Sequence, residues 1–306
     1  MSSVDGGVTI AAVERDTGIG KDTLRIWERR YGFPAPGRNS FGERTYPATQ
    51  VDKLRVVKRL IDAGFRPGRI VALPLDELVQ MGGASREAAL SRVPASVPEA
   101  QACLELLRAH DLGGLRRRFD LALMHLGLGR FIAEWLTPLN TLVGEAWIHG
   151  QIAIFEEHAY TELVQRTLQH ALHSLPSSTE GSRPRVLLTT LRDEPHGLGL
   201  LMAEAQLLVQ GAPCTSLGIQ TPVADVVRAG VAFNIDIVAL SFTACNGPNA
   251  VLNGLAELRE LLPAHVELWA GGAVAAFERR HLPGVRIVPE LALIASEMQR
   301  WRALHL

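Results

Sequence analysis

From Arg185 to the C-terminus of this 306-residue chain, short apolar segments alternate with helical ones. Strands that alternate with helices in this way pair in parallel and carry helices on both faces of the sheet. Residues 181–306 are therefore predicted to form a doubly wound, five-stranded parallel sheet of the Rossmann or flavodoxin-like class. The predicted strands are Val186–Thr190, Cys214–Leu217, Ile235–Ser241, Val266–Ala270 and Arg286–Val288, with helices near 198–210, 222–232, 249–262, 273–281 and 291–303.

The preceding segment, residues 99–180, has helical periodicity with short breaks at Asp111, Gly127 and Gly150. Four helices of this length joined by short turns are typical of an antiparallel four-helix bundle. Residues 74–98 are rich in proline and glycine and predict a linker. The predicted helices lie near 99–110, 112–126, 129–147 and 151–174.

Residues 1–73 predict a small winged helix-turn-helix domain. One apolar face includes Ile10 and Val13, and a second helix ends at Gly32. The stretch Arg38–Pro47 suits a two-stranded wing, and a third helix is predicted over Val51–Ala63. The fold class is thus multidomain, α plus α/β: a winged helix-turn-helix, a four-helix bundle and a parallel sheet.

The charge is unevenly distributed between these parts. Residues 1–73 carry 13 lysines and arginines against 8 aspartates and glutamates, a net charge of +5, while the whole chain has a net charge of −1. Basic domains of this kind often bind polyanions such as nucleic acid.

Composition excludes several classes of protein. Hydrophobic residues make up 47% of the chain, too many for a wholly disordered protein, yet no apolar run is long enough to span a membrane. The N-terminus lacks the basic and apolar regions of an export signal. The three cysteines show no paired spacing and are expected to be reduced thiols. We therefore expect a cytoplasmic protein.

Residues 21–47 read KDTLRIWERRYGFPAPGRNSFGERTYP. This string resembles the MerR family of transcription regulators, which carry TLR-x-WE-x-RYG on the recognition helix and R-x(5)-R-x-Y in the wing. Arginine side chains bind phosphates or guanine edges, although arginines also simply solvate helix surfaces. Leu24 and Trp27 are expected in the core, since so small a domain needs its large apolar side chains inside. The resemblance implies a duplex DNA operator as partner, contacted by Arg25, Arg29, Tyr31, Arg38, Arg44 and Tyr46.

Polar and small residues follow three of the predicted strands. Glu194 and His196 come after the first strand, Ser241 and Thr243 end the third, and Gly271-Gly272 ends the fourth. The carboxyl ends of parallel strands share one edge of a sheet, where ligands bind. An imidazole beside glycines indicates a bulky ligand close to the backbone, with Glu194 orienting His196.

These motifs resemble the cobalamin-binding domain of methionine synthase and the B12-dependent mutases, whose signature is DxHxxG, SxL and GG. Here 41 residues separate Gly199 from Ser241, and 27 separate Thr243 from Gly271. Glu194 replaces the aspartate and Thr243 the leucine. The resemblance implies that His196 is the lower cobalt ligand and that the nucleotide tail lies between Ser241 and Gly271-Gly272. The implied cobalamin-binding residues in this domain are Glu194, His196, Gly199, Ser241, Thr243, Gly271 and Gly272.

A further motif lies in the predicted bundle, where nine residues separate Trp147 from Glu157-His158. Taken alone, this spacing fits a tryptophan inside a bundle and a polar pair on its surface. With the cobalamin motifs, however, the whole chain resembles light-sensing MerR repressors of the CarH/LitR type, in which W-x9-EH caps the 5′-deoxyadenosyl group. Several of those proteins have a histidine directly after the tryptophan that ligates cobalt after light. Here that residue is Ile148, and His149 follows it.

The resemblance implies a DNA-binding repressor that senses adenosylcobalamin, or methylcobalamin as a second form. Light would break the cobalt–carbon bond and change both oligomeric state and DNA affinity, and a homo-oligomer, dimer or tetramer, is expected. Two alternatives stay open. One is a B12-dependent enzyme or corrinoid methyl carrier; the other is a MerR regulator whose B12-like domain senses another ligand, chromophore or protein partner.

Overall fold

The structure is a computed structural model that describes residues 7–39, 41–62, 65–78, 81, 97–148, 150–176, 181–192, 194–243, 248–272 and 282–305. The chain divides into two compact units. The first comprises residues 1–93 with 144–153, and the second comprises residues 94–143 with 154–306. Residues 144–153, which the sequence places in the bundle, thus group with the N-terminal residues.

The N-terminal unit is a winged helix-turn-helix. Its three short strands pair antiparallel in the order β1-β3-β2, and β2 with β3 forms the predicted wing. The sequence missed β1, which is only two residues long. The elements are β1 (Val8–Thr9), α1 (Ile10–Thr17), α2 (Lys21–Tyr31), β2 (Gly37–Arg38), β3 (Arg44–Tyr46), α3 (Ala48–Asp62) and α4 (Pro67–Ile70).

Local sequence explains the turn between the first two helices. The side chain of Thr9 accepts a hydrogen bond from the Ala12 amide and caps α1, while Gly18 ends that helix with a positive φ of 69°. As predicted, Leu24 and Trp27 are buried in the core of this unit. The exposed face of α2 carries Arg25, Arg29 and Arg30 together with one apolar side chain, Ile26, which is 47% exposed.

The helical part of the second unit packs around aromatic side chains. The Phe119 ring lies edge-on to Trp135 at 5.1 Å and to Tyr160 at 6.2 Å between centroids. Asp111 caps the second of these helices, and Gly127 interrupts it with φ 72° and ψ 161°, where the sequence predicts a break. The helices are α5 (Val97–Arg108), α6 (Leu112–Arg130), a π-helical segment (Phe131–Leu136), α7 (Thr137–Ile148), whose residues from 144 belong to the first unit, and α8 (Ile154–His173).

The rest of the second unit is the predicted parallel sheet, with strand order β5-β4-β6-β7-β8. The predicted helix near 273–281 lies outside the described residues. The strands are β4 (Val186–Thr189), β5 (Cys214–Ser216), β6 (Ile237–Phe242), β7 (Glu267–Gly272) and β8 (Val285–Val288). The helices are α9 (Leu198–Val209), α10 (Val223–Ala232), α11 (Pro248–Leu261) and α12 (Ile294–His305), the last preceded by a 3₁₀ turn (Leu291–Leu293).

Alternate residues of the strands supply two separate cores, one on each face of the sheet. Leu187 and Val238 belong to the core that includes α10 and α11, whereas Leu188 and Ile237 belong to the core that includes α9 and α12. Because both faces are covered, the central strands β4 (VLLT) and β6 (IVALSF) are mainly apolar rather than alternating.

Helix α9 joins the sheet to the helical part of the same unit. Gln206 Nε2 donates to the Gly129 carbonyl at 2.8 Å, and Asn140 Nδ2 lies 3.2 Å from Met202 Sδ. Since α9 begins two residues after His196, this packing fixes the start of α9 at the sheet edge. No helix in the described part of the chain combines the length and apolar character required to cross a membrane.

Candidate functional site

At the carboxyl edge of the sheet, a buried carboxylate holds a partly exposed imidazole. Glu194 Oε1 lies 2.6 Å from His196 Nδ1 and accepts the His196 amide at 3.1 Å. The other oxygen, Oε2, accepts the Thr243 amide at 2.6 Å and the Thr243 hydroxyl at 2.8 Å. The side chain of Glu194 is fully buried, while that of His196 is 44% exposed. His196 and Thr243, which are 47 residues apart in sequence, therefore both bond the Glu194 carboxylate.

Burial by itself would raise the pKa of Glu194, but the hydrogen bonds from His196 and Thr243 outweigh burial and lower that pKa. Glu194 is therefore ionised at neutral pH. An ionised carboxylate can only accept hydrogen bonds, so in the neutral imidazole Nδ1 carries the proton and Nε2 keeps its lone pair. Such a carboxylate–histidine pair is the usual support of a metal-ligating histidine.

The loop that carries this pair is itself held to the sheet. The Thr190 hydroxyl donates to the Glu194 carbonyl at 2.6 Å, and the Gln220 amide donates to the Thr190 oxygen at 2.8 Å. Sequence reasoning did not identify Thr190 or Gln220. Only the sheet topology, which places β5 beside β4, brings them together.

Small residues line the same edge. A Cβ atom built on Gly199 would lie 3.0 Å from Ser241 Oγ, so these two predicted site residues are neighbours. Ser241 pairs with Gly271 across β6 and β7. A Cβ on Gly271 would lie 2.8 Å from the Val288 carbonyl oxygen. At Gly272, where φ is +105°, an added Cβ would clash with the Phe242 carbonyl oxygen. These two glycines are thus required by the packing of the sheet itself.

The structure tests whether these residues suit a cobalt corrin. A single imidazole with a free Nε2 beside a bare backbone edge fits one axial ligand from the protein, with the other ligands supplied by a macrocycle. Within the described residues, no group of three or more histidine, cysteine, aspartate or glutamate side chains is placed to hold a metal ion. The His196 imidazole, held by Glu194, would suit the cobalt of a cobalamin, to which it would offer Nε2.

The three residues of the W-x9-EH motif fall in different units. Trp147 is half-buried and belongs to the first unit, whereas Glu157 and His158 begin α8 in the second. Glu157 Oε1 accepts the Thr161 hydroxyl at 2.8 Å, and His158 is exposed. The side chain of Ile148 and all of His149 lie outside the described residues. A capping role for these residues stays a prediction.

The predicted DNA-contacting arginines lie mostly on an open surface of the first unit. Arg25 is ion-paired with Asp22 at 2.9 Å, and Arg29 Nε donates to the Arg25 carbonyl at 3.3 Å. Arg38 Nη1 donates to the Gly42 carbonyl at 2.6 Å, across the wing. Each guanidinium has further N–H groups that these bonds do not use.

Arg44 connects the wing to α2. Its Nε donates to Glu28 Oε2 at 2.9 Å, with both side chains 30% exposed. The hydrogen bond from Arg44 to Glu28 raises the pKa of Arg44. Sequence analysis missed Glu28, although it stands in the WE pair of the helix motif. The ion pair fixes the position of the wing relative to the recognition helix.

The two tyrosines of the predicted DNA surface differ. Tyr31 is partly exposed, and the Arg30 guanidinium lies 5.4 Å from its ring centroid. Tyr46 is fully buried in the core of the unit, and its hydroxyl lies beneath the surface. In this structure the hydroxyl is not open to a phosphate, and a DNA contact by Tyr46 stays a prediction.

Comparisons with known proteins identify a family and relatives of this chain. Residues 8–73 match the family of MerR HTH regulatory proteins. The chain is 32% identical over 260 residues to the HTH-type transcriptional repressor CarH of Myxococcus xanthus, covering 84% of this chain and 86% of that protein. It is 30% identical over 286 residues to the repressor CarA of the same organism, covering 90% and 89%.

Among solved structures, the chain resembles the monomethylamine corrinoid protein of Methanosarcina barkeri. The TM-score is 0.53 at 14% identity, over 65% of this chain and 96% of that one. At this identity the similarity shows the fold alone. That corrinoid protein therefore shares the fold of a large part of this chain.

Proposed function

The chain belongs to the MerR-type transcriptional repressors represented by CarH and CarA, and from this premise we propose that it is a DNA-binding repressor whose effector is a cobalamin. A regulator of this kind acts where the chromosome is, so we place it in the cytoplasm. The relatives are repressors rather than enzymes, which supports a regulatory and not a catalytic role.

The DNA-binding part of the proposal is supported by the winged helix-turn-helix and its arginines. In this motif the second helix enters the major groove. Arg25, Arg29 and Tyr31 on α2 are proposed to contact the duplex directly, and Arg38 to contact it from the wing. Arg44 is proposed to act in two ways, by holding the wing through Glu28 and by offering its remaining N–H groups to a phosphate.

The observation that carries the effector part is the buried Glu194 carboxylate bonded to His196 Nδ1. In the neutral imidazole it directs the proton to Nδ1, which leaves the Nε2 lone pair for cobalt, and it fixes the orientation of the ring. His196 would hold the cobalt, and Gly199, Ser241, Gly271 and Gly272 would line the path of the nucleotide tail. Thr243 would complete the support of the ligand, because it bonds the second oxygen of Glu194.

The finer proposal is that the effector is adenosylcobalamin and the signal is light. A bound adenosylcobalamin would supply a cobalt–carbon bond that visible light breaks. Trp147, Glu157 and His158 are proposed to contact the adenosyl group, a role supported by their match to the W-x9-EH motif. Without the adenosyl group, Trp147 would face an apolar void, and Glu157 and His158 would lose a polar partner. Each of these losses would favour a rearrangement of the helices that carry the three residues. With Ile148 after Trp147, we expect no stable product with two histidine ligands unless His149 or another histidine reaches the metal.

Rearrangement would change how protomers associate. DNA-binding domains linked in one oligomer bind neighbouring half-sites with an effective concentration that separate domains lack. A homo-oligomer, dimer or tetramer, would therefore bind its operator much more tightly than dissociated protomers do.

The test combines absorption spectroscopy with chromatography and DNA binding. The full chain is mixed with adenosylcobalamin, and spectra, size-exclusion profiles and operator affinity are measured in darkness and after green light. We expect a spectrum typical of histidine ligation that His196→Ala abolishes, and different elution and affinity before and after light. Methylcobalamin replaces adenosylcobalamin in a parallel series to define the form that is sensed.

The same measurements separate the alternatives. Cobalamin binding without duplex binding would indicate a corrinoid methyl carrier or B12 enzyme. Duplex binding without any spectral change on adding cobalamin would indicate a regulator that senses something else. Identical elution and DNA affinity in darkness and light would reject the light switch and leave a light-indifferent cobalamin sensor.

A further inference from the structure

The tip of the wing presents an aromatic side chain to solvent. Phe41 lies between β2 and β3 and is 87% exposed, the largest exposed fraction among the large apolar side chains that the structure describes. Single exposed apolar residues are ordinary on protein surfaces. Phe41 becomes informative because of how the wing holds it.

The backbone around Phe41 is fixed by one asparagine. Asn39 Oδ1 accepts the amides of Phe41 at 3.0 Å and Glu43 at 2.9 Å, and Asn39 Nδ2 donates to Glu43 Oε2 at 3.1 Å. The Asn39 amide donates to the Glu43 carbonyl at 3.0 Å, and Gly42 takes the positive φ of 78° that closes the turn. A turn held in this way limits the conformational entropy that binding through Phe41 would cost.

The surroundings of Phe41 indicate what it contacts. Asn39, Glu43 and Arg38 are its polar neighbours in the wing, and Arg38 Nη1 bonds the Gly42 carbonyl at 2.6 Å. A stable protein partner needs a contiguous apolar patch of several hundred Å², which these polar residues do not supply. A wedge between base steps needs only one apolar side chain, and here Arg38 is the basic neighbour while the Glu43 carboxylate accepts a hydrogen bond from Asn39 Nδ2.

We infer that Phe41 is a further DNA contact, an apolar wedge that the wing lays against the sugar edges and a base step of the minor groove. The inference rests on the proposed DNA-binding function. The Arg44–Glu28 ion pair supports it, because it ties the wing to the recognition helix, so a duplex that α2 engages also meets the wing. A wedge favours flexible pyrimidine–purine steps and so adds sequence preference without a hydrogen bond to a base.

The experiment compares two kinds of contact in the full-length protein. The probe is a fluorescein-labelled duplex of about 30 base pairs, enough for two half-sites one helical turn apart, selected in vitro with the wild-type protein. Affinity is measured by anisotropy over a series of KCl concentrations for the wild type, Phe41→Ala, Phe41→Trp and Arg38→Ala. Met124→Ala, which removes an apolar side chain that is 75% exposed in the second unit, is the control.

Phe41→Ala should weaken binding about tenfold, in line with the loss of one aromatic stacking contact, and leave the salt slope unchanged. Phe41→Trp should restore most of the affinity. Arg38→Ala should instead reduce the salt slope by about one unit, as expected for a lost phosphate contact. A 2-aminopurine placed in the minor-groove segment should brighten on binding of the wild type and not of Phe41→Ala. Thermal midpoints of the Phe41 variants should equal that of the wild type, because the side chain is exposed.

Four results would overturn the inference. Affinity within twofold of the wild type in Phe41→Ala would exclude a DNA contact, as would a fall in salt slope like that of Arg38→Ala. A change confined to the size-exclusion volume would make Phe41 a contact between copies of the chain instead. If the wild type binds no duplex at all, the proposed function fails together with the inference, and this result is distinct from the other three.

Discussion

Two glutamates in this molecule hold a functional cationic or basic side chain, and they do so in different surroundings. Glu28 bonds Arg44 on the surface of the N-terminal unit, where both side chains are 30% exposed. Glu194 bonds His196 at the sheet edge and is fully buried. Exposed pairs contribute about 0–1 kcal/mol because water competes for both partners, whereas a buried carboxylate depends on every hydrogen bond it receives. The DNA surface should therefore tolerate single substitutions, and the sheet edge should not.

The largest expected effect is a difference in unfolding free energy between alanine substitutions at two glycines that both have a positive φ. At Gly272, φ is +105° and a Cβ would lie 1.9 Å from the Phe242 carbonyl oxygen; at Gly42 in the wing, φ is +78° and no atom lies within 4 Å. Gly272→Ala should lower the free energy of unfolding by roughly 4 kcal/mol or more, because strand β6 must move. Gly42→Ala, the matched control, should cost about 1 kcal/mol of backbone strain. Urea unfolding of both variants measures the contrast, and similar losses would contradict it.

The second effect concerns the buried carboxylate. Glu194→Gln leaves the Thr243 amide and the His196 ring with poorer acceptors, so stability at neutral pH should fall by roughly 2–3 kcal/mol. Cobalamin binding should weaken as well, since Nδ1 loses the partner that fixes its tautomer. The same substitution at Glu28 should cost less than about 1 kcal/mol. Equal losses at the two positions would remove the distinction between the two glutamates.

The pH dependence of the same variant has a definite sign. The folded state lowers the pKa of Glu194 below its ordinary value of 4.5. Its contribution to stability is therefore fully present above the unfolded pKa and disappears as the pH falls through the lower folded pKa. The difference in unfolding free energy between wild type and Glu194→Gln should shrink on acidification below that ordinary value. A difference that stays constant down to strongly acidic pH would show that Glu194 is not ionised in the folded protein.

A smaller effect is expected for single arginines of the DNA surface. Arg29→Ala should weaken operator binding several-fold and reduce the salt slope by about one unit, because one phosphate contact is lost. Arg116→Ala, which removes an exposed arginine from α6 in the second unit, should leave the slope unchanged. Anisotropy titrations over a range of KCl concentrations give both values. An unchanged slope in Arg29→Ala would mean that α2 does not meet the phosphates.

The contrast between the regions also explains what the sequence could predict. The five strands followed from the alternation of apolar and helical segments, and the common location of Glu194, His196 and Thr243 followed from the rule that carboxyl ends of parallel strands share an edge. Leu24 and Trp27 were placed in the core from domain size alone. By contrast, two contacts join residues from different parts of the fold, and no spacing in the sequence predicts them. They are the Glu28–Arg44 ion pair and the Thr190–Gln220 hydrogen bond. The grouping of residues 144–153 with the N-terminal unit likewise depends on tertiary packing.

At Tyr46 the motif and the structure lead to different expectations, and substitution of this residue has the smallest expected effect. The motif assigned its hydroxyl to a phosphate, yet the side chain is fully buried and its hydroxyl has no hydrogen-bond partner among the described residues. Burial, followed by the charge of Glu28, raises the pKa of Tyr46, so the hydroxyl stays protonated. Removing a desolvated hydroxyl that bonds nothing costs no interaction and relieves its desolvation.

Tyr46→Phe should therefore leave operator affinity unchanged and raise the free energy of unfolding slightly, by up to about 1 kcal/mol. Tyr31→Phe is the matched control, because Tyr31 is partly exposed on α2; it should weaken binding a few-fold without changing the salt slope, since a neutral hydroxyl releases no counterion. Thermal unfolding and anisotropy on the same preparations compare the two. Weaker binding by Tyr46→Phe would mean that the hydroxyl reaches DNA in the complex, and the exposed surface of this unit would then be only part of its DNA-binding face.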